Sequence, residues 1–257
     1  MDSVLFEKKN SVGWLTLNRP EQRNALSLDL MMEMQKKLDI VAEDTEVRAV
    51  VIRAKGPVFS AGHNIKEMAG DHDVHHFRKI FSVCSDMMQT IHKLPQPVIA
   101  QVQGVATAAG CQLVASCDLA IAESGARFAT PGVKIGLFCS TPMIPLSRVI
   151  GRRRALEMLM TGRFISAQEA YEFGLVNKIA EPEKLEEETG NFAESLTQRS
   201  RFTLAFGKQA FYEQIERDEA SAYNYAKEVM AINALSEDAQ EGMTAFIEKR
   251  KPEWKDC

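Results

Sequence analysis

Two short segments combine small residues with strand and helix signals in a pattern that suits binding of a negatively charged oxygen. The first runs from Phe59 to Met68, and the second runs from Gly104 to Asp118. In each segment an apolar strand pattern leads into a small-residue turn that opens a helix. Such turns leave backbone N–H groups unpaired at a helix N-terminus, where the helix dipole favours negative charge. Two facing turns can therefore hold a carbonyl oxygen that becomes an oxyanion during a reaction.

Neither segment supplies an obvious catalytic acid or base, and the candidate polar groups near them are His63, Gln112, Thr130 and Cys139. A histidine can move protons near neutral pH. We expect the His63 ring to face solvent, with only the backbone N–H of this residue at work. Cys139 has no apparent neighbouring base or cation to form a thiolate, so we interpret it as a small buried apolar residue. Thr130 is expected to supply a turn hydroxyl.

The elements that position these segments alternate between strand and helix over the first two-thirds of the chain. The alternating and buried-strand patterns predict strands over 12–18, 49–54, 98–102 and 119–122. Helical spacing of apolar residues predicts helices over 28–42, with Ser27 as the N-cap, and over 75–92 and 109–116. Repeated strand–helix units indicate an α/β fold. Periodicity alone leaves open whether the strands form a doubly wound sheet or the stacked turns of a β-β-α spiral.

Strand signals stop after about residue 182. Four amphipathic helices are predicted beyond this point, over 183–196, 202–216, 221–235 and 237–249. Such a region either joins subunits or forms a lid, or it covers the core of its own chain. We therefore divide the chain into a core at 1–182 and a helical region at 183–257.

Composition and charge exclude several classes of protein. The formal charge of −4 over 257 residues argues against nucleic-acid binding. No apolar run reaches the ~20 residues that span a bilayer. The five scattered cysteines indicate a reducing compartment. This means the cytoplasm of a bacterium, or the mitochondrial matrix if a transit peptide has been removed. The tract at 71–76, Asp-His-Asp-Val-His-His, fits no standard zinc spacing, and we expect a solvated loop and no metal.

Six motifs in order resemble the crotonase superfamily, also called the enoyl-CoA hydratase/isomerase family. Besides the two segments above, they occur at 12–20, 23–26, 161–176 and 241–251. The runs at 108–118, 128–133 and 136–142 are similar to one subgroup of that family. The resemblance implies an α/β fold with a β-β-α spiral core and a C-terminal helical region that joins subunits into trimers or hexamers. It also implies acyl-CoA thioester substrates and no cofactor apart from the coenzyme A of the substrate.

The resemblance also assigns roles to residues. It implies an oxyanion hole made of the backbone N–H groups of His63 and Ala109, with Ala61 and Gly110 as small neighbours that let a thioester approach. The two catalytic glutamates of the hydratases correspond to Gln112 and Gly132. Glutamine cannot take a proton near pH 7 and glycine has no side chain, so we expect hydration to be very slow. Restoring both glutamates is expected to recover some hydration, provided that Gly132 has room for a side chain.

Binding of coenzyme A is likewise assigned by resemblance. Arg23 and Lys66 are candidates for its phosphates, as is Lys249 of a neighbouring subunit. Phe246 is expected to pack on the adenine or in the helical interface. Three functions remain open at this point: hydration or isomerisation of an enoyl-CoA, decarboxylation of a malonyl-type thioester, and binding of CoA thioesters without catalysis.

Overall fold

The computed structural model describes residues 2–70 and 73–257, and its strands form two sheets. The larger sheet has six strands in the order β1-β2-β3-β4-β6-β9, and the smaller has three in the order β5-β7-β8. The strands are β1 (Val4–Lys9), β2 (Val12–Leu17), β3 (Ala49–Ala54), β4 (Val98–Val102), β5 (Val105–Thr107), β6 (Leu119–Glu123), β7 (Arg127–Ala129), β8 (Ile165–Ser166) and β9 (Lys178–Ala180).

The α-helices lie between these strands and after them. They are α1 (Leu28–Glu43), α2 (Ile65–Ala69), α3 (Val74–Lys93), α4 (Ala109–Ser116), α5 (Met143–Ile150), α6 (Arg152–Thr161), α7 (Ala167–Phe173), α8 (Leu185–Thr197), α9 (Arg201–Gln214), α10 (Glu219–Ala234) and α11 (Glu237–Glu248). Ser27 caps α1 as predicted, because its side chain accepts the N–H of Leu30. None of the described helices is both long and apolar enough to cross a membrane.

Strand pairing identifies the architecture as a spiral. β1 and β2 form an antiparallel hairpin, and β2, β3, β4, β6 and β9 then pair in parallel. In the large sheet, β4 is followed by the short strand β5 of the small sheet, and β6 is followed in the same way by β7. This β-β-α repeat decides between the two architectures that periodicity left open. β2 and β4 are buried along their whole length, which explains their nearly continuous apolar sequences.

The large sheet is covered on both faces. The main core packs one face against α1, α3 and α4, and includes Met34 and Met87. On the other face, Trp14 and Ile121 of the sheet pack with Leu185 of α8. The first helix of the predicted C-terminal region is therefore a layer of the core. By contrast, α10 buries no residue within this chain, and the large apolar side chains exposed on α10, on α11 and in the turn between them include Tyr223, Met230, Leu235, Phe246 and Ile247.

Candidate functional site

The buried side chain of Asn24 holds the first turn in place. Its amide donates to the carbonyl oxygens of Lys55 (2.9 Å) and Val58 (2.8 Å), and its Oδ1 accepts the N–H of Arg19 (2.9 Å). The Ser60 hydroxyl donates to the Asn24 carbonyl at 2.9 Å. A buried amide with its hydrogen bonds made fixes the loops that it joins. The Arg-Asn-Ala-Leu motif thus acts as a support for the site.

Backbone hydrogen bonds carry this support to His63. The Ala61 N–H donates to the Arg23 carbonyl at 3.0 Å, and the Thr107 N–H donates to the Ser60 carbonyl at 2.9 Å. The first turn is therefore joined to the end of β5, where the second turn begins. His63 follows directly, and its own backbone N–H has no acceptor among the described residues.

The second turn depends on an unusual conformation of Ala108. This residue has φ 50° and ψ −119°, a region that L-residues rarely adopt. Its N–H donates to the Ala129 carbonyl at 2.9 Å, and its carbonyl accepts the first helical N–H, that of Gln112, at 3.0 Å. Ala109 begins α4, and its N–H is without an acceptor in the described parts of the chain.

The two turns touch each other at Gly62. A Cβ atom on Gly62 would lie 2.8 Å from the Cβ of Ala108 and 3.1 Å from the nitrogen of Ala109. Only glycine fits there, and its φ of +87° favours glycine as well. The contact brings the two unpaired N–H groups, of His63 and Ala109, into adjoining turns. With the dipole of α4 behind one of them, they form a pair of neutral donors suited to an oxyanion.

The His63 ring does not face solvent, contrary to expectation. It packs edge-on against Phe81 with 5.4 Å between ring centroids, and its Nε2 is enclosed without a hydrogen-bond partner among the described residues. Burial lowers the pKa of the imidazole to about 4. The ring is therefore neutral at physiological pH and can offer a hydrogen bond, but it is not a cation there.

Two further buried polar groups lack partners. Gln112 is 4% exposed and Thr130 is 0% exposed. Neither Gln112 Oε1 nor Thr130 Oγ1 has a hydrogen-bond partner within the described structure. Such groups lose free energy unless a ligand or water satisfies them. Gln112 lies three residues after Ala109 on α4, on the same helix face. It thus extends the candidate site from the oxyanion donors along this helix.

Gly132 has no room for a side chain. A Cβ atom there would lie 2.1 Å from the Leu137 carbonyl oxygen and 2.8 Å from the Cys139 Sγ. The clash with Leu137 involves backbone, which cannot swing aside. The condition attached to restoring both glutamates is therefore not met, and we no longer expect a glutamate at this position to recover hydration. Cys139 is buried, which raises the pKa of its thiol and makes it unreactive, as expected.

The remaining candidate residues fall into a small-residue group and a group of exposed side chains. Gly110 packs on Ser60, since a Cβ there would lie 2.4 Å from the Ser60 carbonyl oxygen, and Ala61 is partly buried beside it. The exposed side chains are those of Arg23, Lys66, Phe246 and Lys249. The last two lie at the end of α11, which packs against α9 and α10. Phe246 is 85% exposed, so it is not buried in a helical interface within its own chain.

The expectation that the 71–76 tract binds no metal stays a prediction. Across residues 2–70 and 73–257, no group of three or more His, Cys, Asp or Glu side chains is arranged to hold a metal ion. Asp71 and His72 of the 71–76 tract lie outside the described residues.

A cavity that the sequence did not predict lies beside α4. Its volume is about 780 Å³, and α3, α4, α5 and α9 bound it. Gln112 is among its lining residues. We call it the α4–α9 cavity. It is formed by segments far apart in sequence, so no local pattern could have indicated it.

Comparisons with known proteins show to which proteins this chain is similar. Residues 7–257 match the family described as enoyl-CoA hydratase/isomerase. The chain is 46% identical over 251 residues to enoyl-CoA hydratase domain-containing protein 3, mitochondrial, of Xenopus laevis, covering 98% of this chain and 85% of that protein. A crystal structure of enoyl-CoA hydratase from Mycobacterium smegmatis has a TM-score of 0.95 and 47% identity and covers 98% of each chain. The human enoyl-CoA hydratase domain-containing protein 3 structure has a TM-score of 0.95 and 43% identity, with 98% of this chain and 100% of that one covered.

Proposed function

This chain belongs to the enoyl-CoA hydratase/isomerase family, in the subgroup of enoyl-CoA hydratase domain-containing protein 3, and from that premise we propose that it stabilises the enolate of an acyl-CoA thioester. In this proposal the thioester oxygen accepts hydrogen bonds from the N–H groups of His63 and Ala109. The observation that carries the proposal is that both N–H groups lack acceptors among residues 2–70 and 73–257, in turns that touch at Gly62. Donors held in place before the reaction stabilise developing charge without reorganising.

The residues around the proposed enolate site favour a reaction that needs no protein base. Hydration requires one group to take a proton from water and another to give one to the α-carbon. Here Gln112 replaces one carboxylate, and the Leu137 carbonyl fills the space of the other at Gly132. We infer that hydration is very slow and that the enolate arises by loss of CO2 from a malonyl-type thioester. The bond to the carboxylate breaks, its electron pair moves to the thioester oxygen, CO2 leaves, and a proton then adds to the α-carbon.

Gln112 supports this second inference because its side chain is uncharged. A substrate carboxylate next to a glutamate at this position would be repelled, because like charges in a buried site strongly disfavour each other. The neutral amide allows the carboxylate to enter. We therefore expect Gln112→Glu to weaken binding of methylmalonyl-CoA much more than binding of butyryl-CoA, which has no free carboxylate. Equal weakening of both would contradict this role.

The principal test removes one oxyanion donor. Ala109→Pro deletes the N–H at the first position of α4 and should lower turnover of methylmalonyl-CoA by ~10²–10³-fold. Glu219→Pro is the matched control, since it places proline at the first position of the exposed helix α10, where proline is tolerated. Crotonyl-CoA is assayed alongside. Unchanged turnover in a folded Ala109→Pro variant would refute the proposal. If acyl-CoA binds without turnover of either substrate, the chain is a thioester-binding protein.

A further inference from the structure

A carboxylate that the proposed reaction does not use, that of Asp118, lies in the wall of the α4–α9 cavity. Asp118 follows the C-terminus of α4, and Gln112 of the same helix lines the same cavity. The six residues between these two positions correspond to a separation on the order of 10 Å. An uncompensated negative charge at this distance would repel an anionic group bound beside Gln112. The charge of this wall therefore affects which ligands can enter.

The side chain of Lys208 on α9 compensates the charge of Asp118. Its Nζ lies 2.6 Å from Asp118 Oδ2, and its side chain is only 8% exposed. Nζ also donates to the carbonyl oxygens of Ile91 at 2.8 Å and Gln96 at 2.9 Å. Burial lowers the pKa of Lys208, and the Asp118 carboxylate opposes that lowering. Because the three acceptors match the three N–H groups of an ammonium, they hold Lys208 in its charged form.

Other contacts orient Asp118 without neutralising it. The Tyr212 hydroxyl donates to Oδ1 at 2.8 Å, and the Val98 N–H donates to Oδ2 at 2.7 Å. Burial lowers the pKa of His92, which stacks on Tyr212 with 4.1 Å between ring centroids, so this ring is uncharged near pH 7. The positive charge that balances Asp118 therefore comes from Lys208.

The other charged residues of the cavity lining, Arg148 and Glu216, balance each other. Arg148 Nε donates to Glu216 Oε1 at 2.6 Å, and its Nη2 donates to Oε2 at 3.3 Å. Both side chains are more than half exposed, so solvent and salt screen their remaining field. With both ion pairs formed, the wall of the cavity carries no net charge.

We propose that Lys208 determines which acyl-CoA thioesters this protein accepts, because it cancels the charge of Asp118 and so lets an acyl group with its own carboxylate bind. This inference rests on the proposed function, in which such an acyl group loses CO2. Lys208 acts through Asp118 and does not line the cavity itself. Its effect adds to that of Gln112, whose neutral amide removes a second negative charge from the same region.

Coulomb's law gives the expected size of the effect. At an effective dielectric constant of about 20 and a separation on the order of 10 Å, repulsion between two negative charges corresponds to roughly 15-fold in affinity. Lys208→Met leaves Asp118 charged, so it should weaken binding of succinyl-CoA relative to butyryl-CoA by at least ~5-fold. Asp118→Asn leaves Lys208 charged and should strengthen the same relative affinity by at least ~2-fold. The double variant should lie within ~2-fold of the wild type, because its wall is neutral again.

The assay measures dissociation constants for succinyl-CoA and butyryl-CoA by calorimetry on the whole protein. Succinyl-CoA has a terminal carboxylate where butyryl-CoA has a methyl group, and this carboxylate is not attached to the α-carbon, so no enolate forms by loss of CO2. General damage to the fold affects both affinities alike, whereas their ratio reports the charge of the wall. Lys178→Met is the matched control, since it removes the cation paired with Glu188 of α8 at 2.8 Å and should leave the ratio unchanged.

The outcomes separate this inference from the proposed function. If the wild type binds neither thioester, the proposed function fails and this inference fails with it. If the wild type binds both, but Lys208→Met and Asp118→Asn leave the ratio unchanged or shift it in the same direction, only the role of Lys208 is wrong. Lys208→Met leaves a buried carboxylate without its partner and is the variant most at risk of unfolding. In that case Asp118→Asn decides alone, and an unchanged ratio there refutes the proposal.

Discussion

Replacing Ala108 with glycine should stabilise this protein, although glycine usually weakens a folded chain. Ala108 has φ 50° and ψ −119°, and its conformation starts the turn that exposes the Ala109 N–H. Glycine adopts this region without steric conflict because it has no Cβ atom. The native backbone can therefore stay as it is while the strain of the alanine is relieved.

The expected size of the effect follows from three opposing contributions. Strain at a non-glycine residue in such a region is about 1–3 kcal/mol. The greater freedom of glycine in the unfolded chain removes about 0.4–1 kcal/mol of that gain. The half-buried methyl group of Ala108 contributes a further loss, since a fully buried one is worth about 0.8 kcal/mol. The net gain should be about 1 kcal/mol, which raises Tm by about 2–4 °C in a chain of this size.

The assay is thermal and urea unfolding of Ala108→Gly beside Ala106→Gly. Ala106 is buried in β5 in ordinary extended conformation, so its replacement should lower stability by about 1 kcal/mol. The two variants carry the same chemical change two residues apart and should move Tm in opposite directions. If Ala108→Gly lowers Tm as much as Ala106→Gly does, Ala108 is not strained and our account of the turn is wrong.

Three further predictions concern packing, protonation and assembly. Gly132→Ala should lose at least about 2 kcal/mol in urea unfolding because its Cβ meets the Leu137 carbonyl at 2.1 Å, whereas Gly125→Ala, with its nearest contact at 3.7 Å, should be nearly neutral. For His63, whose folded pKa of about 4 lies below the unfolded value of 6.5, the unfolded chain binds a proton first. Stability should therefore fall as pH drops from about 6.5 to about 4, by on the order of 2 kcal/mol at pH 5 relative to pH 7. His63→Gln should remove that part of the pH dependence, and identical curves for the two proteins would contradict it. Finally, the apolar side chains exposed on α10 and α11 predict that copies of this chain associate, and the family resemblance predicts a trimer or hexamer; a monomer by light scattering at micromolar concentration would exclude both.

Local sequence determined the bounds of several elements well. β4 at 98–102 and α4 at 109–116 have the predicted bounds, because prolines before β4 and small residues before α4 mark their ends. The short strands β5, β7 and β8 were not predicted. Each has only two or three residues, which is too few for a periodic signal, and each exists because a partner strand lies beside it.

The small residues around His63 and Ala109 also predicted, from the sequence alone, where two tight turns approach each other, and the contact of Gly62 with Ala108 confirms that approach. The sequence could not decide what surrounds them. The burial of the His63 ring depends on Phe81, and the closure of the space at Gly132 depends on the Leu137 carbonyl. The α4–α9 cavity depends on Tyr212 reaching Asp118 from 94 positions away in the chain. Residue types and spacing record local backbone preferences, whereas the room beside an atom and the pKa of a side chain are set by neighbours that only folding brings together.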